Sequence, residues 1–329
     1  INIIKMEKYV NGRNYKSIIK IQKETKMKKK LLSLLLCLVM LFTVACNNGV
    51  KEKTVTDREG NEVVIPTKIS KIVSTAPSNT EILTALGLGD KIVCMDTYSE
   101  GIEGVNKDVV KMDFNAPDAE AIIGLEPDII IASGYNKAGS SDDPFKSLSD
   151  AGIPVVYIPS SESIEGIYKD IEFVASVVNQ EDKGKEIINN MKTDIEKISA
   201  IGKTIKDKKK VYFEIGPAPT LYSIGNSTFI NEMIEIVGAE NIFAKENSWI
   251  SPSEESVINA NPDVILTTVN YVENPTEEIK SRPGWEHINA IKNNQVYYID
   301  ANSASRPTQN IIKALNEIAK AVYPDQDDK

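Results

Sequence analysis

Five aromatic side chains in this 329-residue chain stand where they could contact a ligand. Four of them lie in loops predicted at the carboxyl ends of strands, and the fifth is nearby in sequence: Tyr98, Phe114, Tyr135, Tyr271 and, nearby, Trp249. Where strands alternate with helices, ligands bind to the loops at the carboxyl ends of the strands. Flat aromatic faces in such loops suit an aromatic chelate, so these five residues are candidate ligand contacts. Packing in the core is the alternative for Tyr98 and Phe114.

Two polar side chains in the same kind of loop are also candidates. Ser78 follows the predicted strand at residues 72–73, and it is also predicted to cap the next helix, with Glu81 completing a capping box. Arg306 precedes the last helix, where it either contacts the ligand or braces its own loop. Lys137 is the other cation in these loops.

Two glutamates occupy equivalent positions in a short internal repeat. Glu120 and Glu255 each lie seven positions before a proline of a Pro-Asp pair that introduces a strand. Asp118 and Ser253 are the predicted N-caps, which puts both glutamates at the second position of a helix. From the pattern alone, the favoured interpretation is that each carboxylate compensates the dipole of its helix, which stabilises the helix by about 0.3–1 kcal/mol. A pair of exposed docking residues is the alternative.

Residues capable of catalysis or metal binding are scarce. A single His argues against a His-rich zinc site and against His-dependent catalysis. Gly87 and Gly89 follow a predicted helix instead of a strand and lack a third glycine, so they do not form a dinucleotide loop. The sequence contains no P-loop, nucleophile elbow or Cys-His pair. We predict that the protein is not an enzyme and has no catalytic residue, metal ligand or cofactor.

The amino-terminal region has the form of a targeting segment. Residues 28–30 are basic, residues 31–42 are apolar, and residues 43–46 resemble a bacterial lipobox with Thr43 in place of the usual Leu. Cys46 is therefore predicted to carry lipid; an ordinary signal peptide with an incidental Cys is the alternative. A polar tether follows. Residues 1–26 precede Met27 and are interpreted as an upstream extension from a misassigned start.

Charge and cysteine content narrow the function further. The first 45 residues hold ten of the 38 Lys and Arg and two of the 47 Asp and Glu, which leaves 28 bases, 45 acids and a net charge of −17. Such a surface repels nucleic acid. Cys37 would leave with the signal, so Cys94 is the one free thiol, predicted to be buried and inert.

Apolar runs alternate with helical patterns in both halves, which indicates parallel β/α layers. Strands are predicted at residues 72–73, 92–95, 128–132, 154–158, 211–215, 263–267 and 296–299, and helices at 78–86, 119–125, 145–151, 229–237, 255–260 and 308–322. Apolar residues at helical spacing fill the region between, with a joint at residues 179–181. The predicted divisions are 1–26 extension, 27–45 signal, 46–53 tether, 54–162 amino-terminal lobe, 163–206 helical connector, 207–323 carboxyl-terminal lobe and 324–329 acidic tail.

Residues 69–323 resemble the substrate-binding proteins of ABC importers for iron-siderophores, haem and vitamin B12. The segments that carry the resemblance are residues 71–90, 125–132 and 231–243 and the pair Arg306-Pro307. The resemblance implies an α/β fold of two Rossmann-like lobes joined by one long connecting helix (class III), with the ligand cleft between the lobes. It also implies that Glu120 and Glu255 pair with arginines of a permease dimer, and Glu254 could substitute for Glu255.

The resemblance also bears on the ligand. The vitamin B12 binder has aromatic residues at the positions of Tyr98 and Phe114, but a Trp where this chain has Ser303. Only three arginines follow the signal, which favours a neutral corrinoid or hydroxamate over an anionic ferric catecholate. Haem would need an axial ligand, and His287 lies in a loop that is structural in the family.

We therefore predict a monomeric receptor, held by lipid at the outer face of the cell membrane, that delivers a metal chelate to an ABC importer. The chelate is a corrinoid such as vitamin B12 or a ferric siderophore; a ferric hydroxamate or haem receptor is the alternative. A structural surface lipoprotein, or an enzyme on the same scaffold, is the remote alternative.

Overall fold

A computed structural model describes residues 51–137 and 143–326. The fold begins at Glu52. The predicted upstream extension, signal segment and Cys46 lie outside the described residues, as do residues 327–329 of the acidic tail. Among residues 51–137 and 143–326, no helix has the length and apolar character needed to cross a membrane.

A two-stranded antiparallel hairpin opens the fold, and the sequence did not predict it. β1 (Glu52–Thr56) pairs with β2 (Glu62–Pro66). Asp57 closes the turn by accepting hydrogen bonds from the N–H groups of Glu59 and Asn61, and it also accepts one from the N–H of Tyr157 in the first lobe. Glu52 and Lys53 pair with Pro66 and Ile65, so the last two residues of the predicted tether lie in strand β1.

The amino-terminal lobe is a five-stranded parallel sheet with the strand order β5-β4-β3-β6-β7. Its central strand is buried along its whole length, as expected for a sheet covered on both faces. The strands are β3 (Ile72–Ser74), β4 (Ile92–Asp96), β5 (Val110–Met112), β6 (Ile129–Ser133) and β7 (Val155–Ile158), and the helices are α1 (Pro77–Ala85), α2 (Ala119–Gly124) and α3 (Lys146–Asp150).

The carboxyl-terminal lobe has a mixed sheet in which β8, β12 and β13 run parallel, whereas β9 and β11 pair antiparallel at one edge. Its strands are β8 (Lys210–Gly216), β9 (Tyr222–Ile224), β10 (Glu240–Asn241), β11 (Trp249–Ile250), β12 (Val264–Thr267) and β13 (Val296–Tyr298). Its helices are α6 (Phe229–Ile236), α7 (Glu254–Ala260), α8 (Pro275–Lys280), α9 (Asn289–Lys292), α10 (Ala301–Ser305) and α11 (Ile311–Val322).

Two helices, α4 (Ile164–Val177) and α5 (Glu181–Gly202), connect the lobes. The predicted joint is present, because Asn179 adopts a left-handed conformation with φ 57°. α4 packs on α1 of the first lobe, and α5 packs on α4 and on α6 and α11 of the second. At 22 residues, α5 is about 33 Å long. The predicted α/β fold of two lobes is confirmed, and α5 is the long helix of the connector between them.

Helix α1 starts earlier than the predicted capping box allows. Pro77 occupies its first turn and Ala76 is the N-cap, without a side-chain cap. Proline suits this position because its φ is already helical and it has no N–H to satisfy. Ser78 therefore lies inside the first turn and does not cap, which leaves Glu81 free for a different role.

Cys94 is fully buried on β4, as predicted. Burial and, secondarily, the charge of Asp96 raise the pKa of its thiol from 9.0 to about 11.

This shift of the Cys94 pKa predicts a pH-dependent loss of stability. An unfolded chain releases the thiol proton near pH 9, whereas the folded chain keeps it until about pH 11. The free energy of unfolding should therefore fall by about 2–3 kcal/mol as the pH rises from 9 to 11, at ~1.4 kcal/mol per pH unit. Urea unfolding at both pH values should show this loss in the native chain and a smaller one in Cys94→Ala; equal losses would contradict the assignment.

Candidate functional site

Three of the predicted aromatic residues form one cluster. The ring of Phe114 lies 5.9 Å from that of Tyr98 and 6.3 Å from that of Tyr135, measured between centroids, and both pairs are tilted. The three residues follow β4, β5 and β6, so the carboxyl edge of the first sheet brings them together. Tyr98 is 68% exposed and Tyr135 is 63% exposed, whereas Phe114 is half-buried between them. Tyr98 and Tyr135 are thus not core residues, and the cluster presents aromatic faces to solvent.

Buried polar groups hold the loop that carries Tyr98. Asp96, at the end of β4, accepts hydrogen bonds from the N–H of Tyr98 and the hydroxyl of Ser99, which closes one turn of 3₁₀ helix. Burial raises the pKa of the Asp96 carboxyl, although these hydrogen bonds and the charge of Arg306 act in the opposite direction. The aromatic ring therefore projects from a braced turn.

The loop that carries Tyr135 is braced in a similar way. The side-chain oxygen of Asn136 accepts from the hydroxyl of Thr75 and from the N–H of Ser133, and all three residues are buried. The N–H of Tyr135 donates to the Ser133 hydroxyl at 3.2 Å. β3 and β6 thus fix the second ring through side chains that the sequence analysis did not single out.

The aromatic candidates of the second lobe do not join this cluster. Tyr271 follows β12 and is 70% exposed. Trp249 is 48% exposed on the edge strand β11, opposite Ile224. Neither makes a ring contact with another aromatic residue in residues 51–137 or 143–326. Tyr222 was missed by the sequence analysis: it is 50% exposed and lies opposite Gly216, the last residue of β8. Its strand is three residues long, too short to produce a periodic signal.

Arg306 is engaged across the two lobes. Its Nη1 donates to Oε1 of Glu81 at 2.6 Å, while Thr308 and Asn310 donate to Oε2 of the same carboxylate at 2.7 and 2.8 Å. Glu81 is buried on α1 of the first lobe, and its three partners belong to the second. Arg306 also lies 3.4 Å, through Nη2, from the carbonyl oxygen of Tyr98. The arginine therefore braces one lobe against the other, not only its own loop.

A cavity of about 810 Å³ lies beside this contact, between α1 and the 100–104 loop of the first lobe and α10 and α11 of the second. Its walls combine apolar surface with several polar and charged side chains: Glu81, Glu100, Glu103, Asp300, Ser303, Arg306, Asn310 and Lys313. None of the three clustered aromatic rings lines it. The cavity and the aromatic cluster are therefore separate features, and the aromatic cluster is the better surface for a flat ligand.

All three arginines that follow the signal region are paired with carboxylates. Arg58 contacts Asp170, Arg306 contacts Glu81, and Arg282 contacts both Glu214 and Glu278. No guanidinium in the described part of the chain is therefore left for an anionic ligand.

The single histidine lies away from the cleft. His287 is exposed in the loop between α8 and α9. This loop ends at Asn289, whose N–H donates a hydrogen bond to the side chain of Asn261 at 2.8 Å. Asn261 comes just before β12, so this loop is near the amino ends of the strands, opposite the carboxyl edge. Across the described residues, no group of three or more His, Cys, Asp or Glu side chains is arranged to hold a metal ion.

The two repeat glutamates occupy the helical positions that the sequence predicts. Asp118 caps α2 by accepting from the N–H of Ala121 at 3.0 Å, and Ser253 caps α7 by accepting from the N–H of Ser256 at 3.1 Å. Glu120 and Glu255 are thus each the second residue of their helix.

Both carboxylates are exposed and have no hydrogen-bond or ion-pair partner among residues 51–137 and 143–326. Glu254, considered as a substitute for Glu255, instead accepts a hydrogen bond from the indole of Trp285 at 2.9 Å. The exposed carboxylate of this helix start is therefore Glu255.

The family match and the similar proteins of other bacteria all indicate the same protein family. Residues 72–303 match the family described as periplasmic binding protein. The ABC transporter substrate-binding lipoprotein YvrC of Bacillus subtilis is 35% identical over 311 residues, covering 89% of this chain and 96% of that protein. A vitamin B12-binding protein of Vibrio campbellii is 27% identical over 253 residues, covering 76% of this chain and 88% of that protein.

A solved structure agrees with this match. The possible iron-binding, periplasmic solute-binding protein of Staphylococcus epidermidis is 33% identical with a TM-score of 0.70, and the alignment covers 78% of this chain and 99% of that one. The two-lobed fold, the connecting helix and these relatives agree, and the chain belongs to the periplasmic binding protein family, among the substrate-binding proteins of ABC importers for iron-siderophores, haem and vitamin B12.

Proposed function

We propose that the protein is a lipid-anchored extracytoplasmic receptor that binds a corrinoid and delivers it to the permease of an ABC importer. The observation that carries the choice of ligand is the exposed cluster of Tyr98, Phe114 and Tyr135 at the carboxyl edge of the first sheet. Binding a flat, partly apolar ring system against these aromatic faces removes apolar surface from water, which lowers the free energy of the complex. The paired arginines agree with a ligand that carries little negative charge. The similarity to vitamin B12-binding proteins points the same way.

An iron chelate is the second candidate, because the Staphylococcus epidermidis relative is described as a possible iron-binding protein. Ser303 also counts against a corrinoid, since it is a small buried residue where the vitamin B12 binder has a Trp. A neutral ferric hydroxamate satisfies the same charge argument, so the two ligands are distinguished by titration.

The test uses intrinsic fluorescence of the chain from Asn47 onward. Trp249 is half-exposed and Trp285 is fully buried, so a ligand in the cleft should quench mainly the former. Cyanocobalamin, cobinamide, a ferric hydroxamate, a ferric catecholate and haem are titrated in parallel, with correction for their absorbance. Saturable submicromolar binding of the corrinoids alone is expected. Binding of the hydroxamate alone would overturn the corrinoid assignment but leave the receptor function in place. If none of the five ligands quenches the fluorescence, both the corrinoid assignment and the receptor function are overturned.

Removing one ring of the cluster should weaken cyanocobalamin binding. Phe114→Ala is expected to raise the Kd about tenfold or more, because burying an aromatic face against the ligand contributes roughly 1.5–3 kcal/mol. Tyr98→Phe is the matched control: it keeps the flat face and should keep the Kd within about twofold. Titration of both variants checks this, and an unchanged Kd in Phe114→Ala would place the ligand elsewhere.

We assign docking to the permease to Glu120 and Glu255, which lie on separate lobes and have no partner within the described part of the chain. A carboxylate facing an arginine makes a strong, directional pair. Changing either residue to Gln is expected to lower uptake of radiolabelled cyanocobalamin by cells about tenfold, equal to ~1.4 kcal/mol, with an unchanged Kd in the fluorescence titration. Glu286→Gln, which removes another exposed carboxylate, is the control. A loss of uptake equal to that of the control would contradict the docking role.

A further inference from the structure

The two docking helices differ in how their first turns are held. In α2, Ala119 occupies the first helical position, and its methyl group cannot form a hydrogen bond. In α7 the same position is Glu254, whose carboxylate accepts a hydrogen bond from Nε1 of Trp285 at 2.9 Å. The docking residue of the second lobe, Glu255, is the next residue along the chain.

Trp285 is itself held firmly. Its side chain is fully buried, and the Tyr212 ring packs edge-on against it with a centroid distance of 6.1 Å. The guanidinium carbon of Arg282 lies 4.6 Å from the indole centroid, in a cation–π contact. The indole N–H therefore has a fixed position in the core of the lobe, and it projects to a helix start on the surface.

Arg282 is in turn fixed by two carboxylates. Its Nη1 and Nη2 donate to Glu214 at 2.7 and 2.9 Å, and Nη2 and Nε donate to Glu278 at 2.6 and 3.0 Å. These bonds tie β8 and α8 to the arginine on which the indole stacks. The rigid interior of the lobe thus extends through Trp285 to Glu254.

We propose that Trp285 is a positioning residue for permease docking: by holding Glu254 at the first position of α7, it orders the turn from which Glu255 projects. The docking role of Glu255 rests on the proposed function, whereas the hydrogen bond and its effect on the helix start do not. Without the indole N–H, the hydrogen bonds that order this turn among the described residues are the Ser253 cap, the bond from the Ser256 hydroxyl to the Ser253 carbonyl and those of the short helix itself. Ordering a binding group before contact lowers the entropy lost on association.

The experiment follows the full chain by amide hydrogen exchange and by the two indole N–H signals in a proton–nitrogen correlation spectrum. Trp285→Phe removes the donor but keeps an aromatic ring beside Arg282. Amide exchange at Val257, whose N–H donates to the Ser253 carbonyl, is expected to become about tenfold faster, as loss of a hydrogen bond to a charged group implies. Glu254→Ala removes the acceptor from the surface side and serves if Trp285→Phe fails to fold.

Glu254→Gln is the matched control. Its amide oxygen still accepts from the indole, so exchange at Val257 should stay within about twofold of the native rate, and the Trp285 indole proton should stay protected. If charge at the helix start were the cause of order, Glu254→Gln would instead behave like Glu254→Ala. That result, or unchanged exchange in Trp285→Phe, would overturn the proposal.

Uptake of cyanocobalamin by cells that carry each substitution gives the functional arm. Trp285→Phe is expected to lower uptake about threefold, with an unchanged Kd for cyanocobalamin. If Glu255→Gln lowers uptake but Trp285→Phe does not, the positioning role is overturned. If Glu255→Gln itself has no effect, the docking assignment fails, and amide exchange alone decides whether Trp285 orders the helix start.

Discussion

Replacing Arg282 with methionine is expected to lower the free energy of unfolding by about 3–5 kcal/mol, the usual cost of removing one partner of a buried ion pair. The side chains of Arg282 and Glu214 are 4% and 1% exposed, so the remaining carboxylate would have neither a cation nor water. Methionine is shorter than arginine, but its flexible, unbranched side chain fills part of the same space, so most of the loss arises from the unpaired charge and not from a large cavity. Urea unfolding followed by circular dichroism at pH 7 measures it.

The pH dependence of this variant provides a check. Burial already raises the pKa of Glu214, and Arg282 is the main group that opposes the rise. Without Arg282, the folded pKa lies further above the unfolded one. The stability of the variant is then present below the unfolded pKa and lost as the pH rises through the folded pKa, so its deficit should shrink on acidification from pH 7 towards pH 5. A deficit that is independent of pH would contradict an uncompensated carboxylate.

A second variant separates the pair from its surroundings. Glu214→Gln combined with Arg282→Met removes both charges, and it should be less destabilised than Arg282→Met alone. If the double variant loses as much stability as the sum of both single variants, the two side chains do not act as a pair.

Replacing Glu81 with alanine is expected to lower the free energy of unfolding by about 2–4 kcal/mol, because hydrogen bonds to charged groups contribute roughly 1.5–3 kcal/mol each and Arg306 can be partly rehydrated. The variant leaves the fully buried hydroxyl of Thr308 without its acceptor. Since Glu81 joins α1 to the segment between α10 and α11, the variant should also loosen one lobe against the other. Thermal unfolding and small-angle scattering measure the two effects.

Glu100→Ala is the control for this experiment. Glu100 lines the same cavity but is largely exposed and paired with the exposed Lys111, so its loss should cost less than about 1 kcal/mol. An equal loss in both variants would mean that the cavity wall, and not the contact across the lobes, sets the stability.

Local patterns in the sequence predicted much of the fold. Alternating apolar runs and helical periodicity located β3, β4, β6, β7, β8, β12 and β13 and the longer helices. Asp118 and Ser253 fixed the helical positions of Glu120 and Glu255. Tyr98, Phe114 and Tyr135 were identified because residues after parallel strands meet at one edge of the sheet. These predictions succeeded because they depend on residues that are close in the chain or on a rule of topology. The strands β1, β2, β5, β9, β10 and β11 and the helices α8, α9 and α10 were missed, since segments of two to six residues contain too little periodicity.

The tertiary structure alone decided the partners of the charged residues. A capping box was a sound local interpretation of Ser78 and Glu81, yet Glu81 pairs with Arg306, 225 positions away. Trp285 and Glu254, and likewise Arg282 and Glu214, are joined across separate elements. Local spacing carries no information about such contacts, because a buried charge takes whichever partner the packing of distant elements brings within reach. The sequence by itself thus placed the aromatic residues after the strands and Glu120 and Glu255 in the first turns of their helices, and the packing of the elements determined which partners hold the surrounding side chains in place.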